Sequence, residues 1–407
     1  MRSLSGLARR GDSALREVLS RAARRRGWTP AVLAYPGYGS GGRIRVLGRV
    51  LLAPPGASPQ DRRALPGWQR FLTLEAPHAE VTVEVAGVVR TVRSDADGLV
   101  DVTLEVPAGL LGDRGQVPAV LSAGSRSATA PVHLSSPGAA RGIVCDIDDT
   151  VLVTGIATPL RAAWRTFVQP MATRRAVPGM AALLRQLTAG APHVPVVYLS
   201  NGPWNLAGPL AGFLERAGFP AGALLLTDWG PRPTRWFRDG RAHKRSALHR
   251  LADDLPGVGW TLVGDTSEHD PALYRAFVAA RPDRVRAVLL RDVQSPIGSE
   301  HRSERQRARS GATAEATGVP ASPTGSEHRS ERQRARSGAT AEATGVPASP
   351  TGSEHRSERQ RARSGATAEA TGVPAPDGAA RVERVGAVPV VYAPDGASLA
   401  AALAELD

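Results

Sequence analysis

The chain has 407 residues, 42% of them hydrophobic, and a formal net charge of +13. Its length accommodates two or three domains. No run of about eighteen apolar residues occurs, which excludes a membrane-spanning helix, and the single cysteine, Cys145, excludes an internal disulfide framework and a cysteine-based zinc site. The positive balance favours anionic partners such as phosphates, nucleic acid or an anionic membrane.

Residues 1–30 place Leu4, Leu7, Ala8, Leu15, Val18, Leu19 and Ala22 at helical spacing between arginines, interrupted at Gly11. This predicts a basic amphipathic helix, packed on its own protein or laid on an anionic membrane. The segment lacks the continuous apolar core of a secretory signal, so the expected location is the cytoplasm, with peripheral contact at the inner membrane surface as an extension of it. Residues 31–138 alternate apolar and polar positions in "RIRVLGRVLL", "EVTVEVAGVVRTVRS" and "LVDVTLEVP", with turn signals such as "DADG" between them. They read as a small β-sandwich-like domain that binds or packs.

Residues 139–294 change texture. Apolar runs "GIVCD", "VPVVYLS", "GALLLTD", "WTLVGD" and "VRAVLL" alternate with helical stretches such as "GMAALLRQLTA" and "KRSALHRLADDL". Short continuous apolar strands between helices predict an α/β domain with a doubly wound parallel sheet. Residues 295–384 hold a repeat: "GSEHRSERQRARSGATAEATGVPASPT" occupies 298–324, recurs identically at 325–351 and begins again at 352. Each unit offers one Val and a few Ala, too little apolar surface to offset the entropy of ordering it, so the tract is expected to be a disordered insertion. Residues 385–407 supply a last strand, "VPVVYA", and a last helix of the same α/β domain.

The chemistry gathers at strand ends. "RGIVCDIDDTVLVTG" closes an apolar strand with Asp146, Asp148 and Asp149, a crowding of like charge that demands a cation or raised pKa values. Hard oxygen-ligated Mg²⁺ answers that demand. "VVYLSNGPWN" puts Ser200 after a second strand, and "WTLVGDTSEHD" puts Asp265 after a third, with Asp270 beyond it. "AHKRSALHRL" puts Lys244 at a helix start; every other basic side chain in the protein is arginine, which does not replace a compact ammonium. Phosphoryl transfer through a covalent aspartyl-phosphate needs this inventory. One carboxylate attacks, and a cation screens the two anions from each other. A second carboxylate two residues on, facing the same way along an extended segment, protonates the leaving oxygen. A hydroxyl and an ammonium hold the remaining phosphate oxygens. His243 and His269 lie beside these residues and are read as packing or supporting groups, because Mg²⁺ prefers oxygen.

The set Asp146-x-Asp148-x-Thr150, Ser200, Lys244 and Gly264-Asp265 through Asp270 resembles the four motifs of the haloacid dehalogenase-like phosphatases. The fuller stretches "DIDDTVLVTG", "YLSNGPWNL", "HK" and "GDTSEHDPALY", with "YPGYGSGGRIRVLGRVL" upstream, are similar to the catalytic-domain family of the yeast actin-patch-associated phosphatidate phosphatase and its bacterial relatives. The resemblance covers most of the chain except the repeat. It implies a haloacid dehalogenase-like Rossmannoid fold and a Mg²⁺-dependent phosphatase that converts phosphatidate, or a related phosphomonoester lipid, to diacylglycerol and phosphate. Asp146 would be nucleophile and metal ligand. Asp148 would be general acid and base, with its backbone carbonyl on the metal, and Asp265 and Asp270 would complete the metal site. Thr150, Ser200, Asn201 and Lys244 would hold phosphate. Trp164, Phe167, Trp204, Trp229, Trp236 and Phe237, with Arg161, Arg165 and Arg235, lie around the strand ends and suit either an interfacial surface or ordinary loop packing. Two alternatives remain: a phosphatase for nucleic-acid ends or small phosphomonoesters, and a non-catalytic membrane-binding or scaffold protein with a phosphatase-like fold. No basic-aromatic groove motif supports nucleic acid as a partner, and the sequence does not specify an oligomeric state.

Overall fold

A glycine pair sets the first turn. Gly41 and Gly42 both adopt left-handed backbone, φ 58° and 91°, and close a two-residue hairpin between Ser40 and Arg43. They join β1 (Thr29–Ser40) to β2 (Arg43–Ala53). The protein is represented by a computed structural model that describes residues 18–56, 74–136, 138–153, 174–227, 240–267, 269–293 and 380–406. A helix, α1 (18–25), precedes β1. There follow β3 (Leu74–Glu75), β4 (Glu80–Val85), β5 (Val88–Arg93), β6 (Leu99–Glu105), the short α2 (Ala108–Leu111), β7 (Gln116–Ala123) and β8 (Arg126–Ser135). In β4, Val81, Val83 and Val85 are buried while Glu80 and Glu84 face out, the period-two pattern of a strand with one covered face.

These eight strands form one sheet in the order β3-β2-β1-β8-β7-β4-β5, with β6 also on β2. Strand β2 therefore has three partners: β1 along its length, β6 along Arg43–Arg49, and β3 at Leu51 and Leu52. Most pairings are antiparallel, but β1 and β8 run parallel through Gly37–Ser40 and Val132–Ser135.

The second sheet comprises β9 (Arg141–Asp146), β10 (Val196–Pro203), β11 (Ala223–Thr227), β12 (Gly259–Asp265), β13 (Val285–Arg291), β14 (Arg381–Val385) and β15 (Val388–Ala393). Their order is β11-β10-β9-β12-β13-β15-β14. The helices are α3 (Met180–Thr188), α4 (Ala207–Arg216), α5 (Gly240–Asp254), α6 (Asp270–Ala280) and α7 (Gly396–Ala404). In α3, Met180, Leu183 and Leu184 are buried, the stripe that helical spacing predicts.

The expected fold class is corrected by this arrangement. Strand outweighs helix among the described residues, and the β-rich part is not a small appendage but holds the larger sheet. Its eight strands are mixed, through the parallel β1–β8 pair, and are hydrogen-bonded along one path, with β6 branching off at β2. The second sheet is mixed as well, because β14 runs antiparallel to β15. A doubly wound parallel, haloacid dehalogenase-like α/β architecture thus does not describe the protein. The physical reason is that apolar runs reveal that strands exist, whereas pairing partners depend on contacts remote in sequence.

Both sheets fall within one compact unit. Tyr35, Tyr38 and Leu47 from the first sheet belong to the core built around β9, β10 and β12. The amphipathic segment before residue 18, the repeat at 298–374, and Arg161, Trp164, Arg165, Phe167, Trp229, Arg235, Trp236 and Phe237 lie outside the described residues. No helix among the described residues is long and apolar enough to cross a membrane.

Candidate active site

Strand β9 lies between β10 and β12, and its register decides what meets at its end. Leu199 pairs with Asp146, and Val263 pairs with Cys145. Ser200, one residue past Leu199, and Asp265, two past Val263, therefore emerge beside Asp146. Asp146, Thr150, Ser200, Lys244, Asp265 and Asp270 are all buried, a concentration of polar groups found nowhere else among the described residues.

The carboxylates of Asp146, Asp265 and Asp270 place oxygens within 4.8 Å of one another, close enough to share a cation. Lys244 Nζ sits 2.6 Å from Asp146 Oδ1 and donates to Asp270 Oδ1 at 2.7 Å. Asp270 Oδ2 is buried without a hydrogen-bond partner. Thr150 Oγ1 lies 3.4 Å from both Asp146 Oδ2 and Asp265 Oδ2. Asp265 Oδ1 accepts from the Ser267 backbone N–H at 2.6 Å and also from the Ser267 hydroxyl. Across the site, the Ser200 hydroxyl donates to Asp148 Oδ2 at 3.1 Å and accepts from the Gly202 N–H at 2.9 Å. Asn201 Oδ1 is buried and unpartnered. Its amide packs against the start of α5, where a Cβ on Gly240 would come within 3.1 Å of it. His243 lies beside Lys244, buried with Nε2 unpartnered, and donates no ligand to the acidic cluster.

The electrostatics follow from burial with excess negative charge. Desolvation pushes the Asp146 carboxyl well above the usual carboxylate range, opposed by Lys244 and reinforced by Asp270, Asp265 and Asp148. Asp265 is raised chiefly by burial too, against the hydrogen bonds from Ser267. For Lys244, burial works against the ammonium, but Asp146 and Asp270 outweigh it and hold the proton firmly. Burial likewise raises the thiol of Cys145, with Asp146 and Asp270 adding to the effect. His243 is lowered to about 4, by burial first and then by the cations Arg45 and Lys244 against a backbone hydrogen bond with Leu225. A hard divalent cation fits this donor set: all three ligand groups are oxygens, they are close, and one oxygen awaits a partner.

Three features were not anticipated. Asp149 adopts left-handed backbone, φ 54°, an uncommon conformation for a side-chain-bearing residue. The turn it makes lies between Asp148 and Thr150 and is held from below by Arg291, whose Nη1 donates to the Asp149 carbonyl at 2.5 Å while its Nε donates to the Pro394 carbonyl at 3.3 Å. Arg291 is buried at the end of β13, next to β12, which ends in Asp265. The signal was an arginine closing the apolar run "VRAVLLR", as Asp265 closes "WTLVGD". Gly264 is the third: a Cβ there would lie 2.7 Å from Asp270 Oδ2 and 2.8 Å from Tyr274 Cε2, so only glycine lets Asp270 lie against the strand. Trp204, which suited either an interfacial surface or ordinary packing, is buried and stacked on Tyr35, ring centroids 4.6 Å apart.

The sequence pattern of the family described as phosphatidate phosphatase APP1, catalytic domain, matches residues 141–292. An uncharacterized protein of Schizosaccharomyces pombe is 28% identical over 155 residues, 38% of this chain and 25% of that protein. Phosphatidate phosphatase APP1 of Saccharomyces cerevisiae is 26% identical over 166 residues, 40% of this chain and 28% of that protein. The chain thus spans about a quarter of the length of these curated relatives. Among solved structures, a carbohydrate acetylesterase from Xanthomonas citri overlaps 65% of this chain and 68% of its own at 11% identity with a TM-score of 0.23. A glycosyl hydrolase family 2 member from Bacteroides cellulosilyticus overlaps 69% of this chain and 40% of its own at 14% identity with a TM-score of 0.19. Overlaps that low carry no argument. The family pattern, by contrast, begins at the strand leading to Asp146 and ends just past Arg291, so the match to the APP1 catalytic domain takes in the whole acidic cluster.

Proposed function

We propose that the protein is a Mg²⁺-dependent phosphatase that works through an aspartyl-phosphate on Asp146 and hydrolyses phosphatidate or a related phosphomonoester lipid. The observation that carries the reading is the buried cluster of Asp146, Asp265 and Asp270, with Lys244 joining Asp146 to Asp270 and with Ser200 and Asp148 beside it. Asp146, Asp265 and Asp270 would hold the ion through their carboxylates, and Asp148 through its backbone carbonyl. When bound, the ion neutralises carboxylate charge and lets an anionic phosphate approach.

In the first half-reaction a carboxylate oxygen of Asp146 attacks phosphorus and the bond to the alcohol oxygen breaks. Asp148 supplies the proton that the departing alkoxide takes up. In the second, Asp148 accepts a proton from water, whose oxygen attacks the same phosphorus. The acyl–phosphate P–O bond breaks, phosphate leaves, and Asp146 is regenerated. Lys244, Ser200, Asn201 and Thr150 contribute donors to the non-bridging oxygens as charge spreads over them. Raised proton affinity at Asp146 means that neutralising the cluster is a precondition for its attack.

The lipid substrate class is suggested by the yeast relative, a phosphatidate phosphatase, and membrane contact follows as part of the same reading. The test is phosphate release from phosphatidate in mixed micelles, lysophosphatidate, a nucleotide, a sugar phosphate and an end-phosphorylated oligonucleotide, each with Mg²⁺ and with chelator. Preference for the lipids, abolished by chelator, is the expected result. Preference for the oligonucleotide would overturn the lipid assignment, and no release from any of them would overturn the catalytic one.

A further inference from the structure

The eight-stranded sheet has no part in the proposed chemistry, yet it reaches two of the segments that carry it. The contact comes from "YPGY". In an unbroken strand, positions 35 and 38 would face opposite ways. Here the β1–β2 register runs from Tyr35 opposite Leu47 to Tyr38 opposite Arg45, an irregularity that inserts one extra residue into β1. Gly37 permits it, since a Cβ there would sit 2.2 Å from the Arg45 carbonyl oxygen. Both tyrosines join the core around β9, β10 and β12.

Tyr35 stacks on Trp204, planes 17° apart, directly after the Ser200–Asn201 segment. The Tyr38 hydroxyl donates to Asp254 Oδ2 at 2.7 Å and accepts from Arg45 Nη1 at 3.0 Å. Arg45 in turn grips Asp101 of β6 with two bonds, at 2.9 and 2.8 Å. Arg250 binds the same Asp101 at 2.9 Å. Arg250 and Asp254 belong to α5, whose first turns carry Lys244. From Lys244 to Asp254 the helix runs ten residues, about 15 Å. A tilt of about 4° at the far end would therefore move the ammonium by about 1 Å, a displacement that costs catalysts on the order of a hundredfold.

We infer that the bulged segment Tyr35–Tyr38, with Arg45, is a positioning device for the site: Tyr38 and Arg45 set the axis of the helix that presents Lys244, and Tyr35 sets the segment that presents Ser200 and Asn201. The kinetic half of this inference rests on the phosphatase reading; the structural half does not.

The test uses the full chain and three variants. Tyr38→Phe removes one hydroxyl and keeps the ring. Tyr35→Leu removes the stack. Asp254→Asn keeps an acceptor for Tyr38 and serves as the conservative control. In hydrogen–deuterium exchange, Tyr38→Phe should raise exchange in 240–247 about tenfold, and Tyr35→Leu should do so in 200–206. β9 and β12 should be unchanged in both, and Asp254→Asn should stay near wild type. In steady-state kinetics with Mg²⁺, kcat per folded molecule should fall about tenfold or more for the two tyrosine variants while KM moves less than about threefold, because misplaced donors lose most as charge develops. A role in packing alone would lower the melting temperature and leave kcat intact. Unchanged exchange in those segments, or unchanged kcat in an active enzyme, would overturn the inference. If the wild type released no phosphate from any substrate, the phosphatase reading would fall, and exchange alone would decide the positioning claim.

Discussion

The two sheets bury different things. In the eight-stranded sheet the interior is a run of Val, Leu and Ala, and its buried polar groups, among them Ser94, Ser135 and Arg49, are scattered. In the second sheet the strand bodies are equally apolar, but β9, β12 and β13 end in Asp146, Asp265 and Arg291 and β10 carries Ser200, all under cover. Burying unmatched carboxylates costs stability. Among the described residues the buried carboxylates gather at this one place, and that is what singles it out as the candidate site.

That contrast can be broken most severely at Asp146. Asp146→Asn should lower phosphate release by about a thousandfold or more while the far-ultraviolet circular dichroism stays that of the wild type; retained activity would show that the acidic end is not the reaction centre. The next effect sets two glycines against each other. Gly264→Ala should drive the new methyl into Asp270 and Tyr274, cost about 1–3 kcal/mol, and raise the half-saturating Mg²⁺ concentration at least tenfold. Gly109→Ala in α2, where nothing lies within 4 Å of the new Cβ, should shift stability by less than about 1 kcal/mol and leave Mg²⁺ response intact.

A third prediction exposes the like-charge cost directly. In chelator, Asp265→Asn should melt a few degrees above the wild type, because one of three crowded carboxylates is gone. Mg²⁺ should raise the wild-type melting temperature and leave the variant nearly unmoved. The smallest effect concerns His243. The unfolded imidazole binds a proton below its ordinary 6.5, the folded one only near 4. Unfolding therefore takes up a proton between those values, so this contribution to stability is full above pH 6.5 and is lost as pH falls towards 4. His243→Gln should flatten that part of the acid limb in denaturant titrations.

Much of the candidate site was legible in the residues because most of its parts sit where an apolar run meets a polar residue, a point visible in the sequence. "GIVCD", "VVYLS" and "WTLVGD" all mark β9, β10 and β12 in this way. Lys244 stood out by composition. What stayed hidden was relational. Nothing local tells that β1 pairs with β8 in parallel, that β2 serves three partners, or that the β-rich half carries the larger sheet, and the expected fold class failed there. The Arg291 support beneath Asp149 spans 142 positions of sequence, and the Tyr38–Asp254 bond spans 216, so neither leaves a pattern within one segment.

Cys145 gives the molecule a built-in reporter. It is the only sulfhydryl in 407 residues, sealed in β9 one position before Asp146, and its surroundings hold it as an unreactive thiol. An alkylating reagent can reach it only when the central strand comes free of its neighbours. The rate at which mass spectrometry sees a single adduct appear would then time the opening of the strand that carries Asp146, with no engineered label.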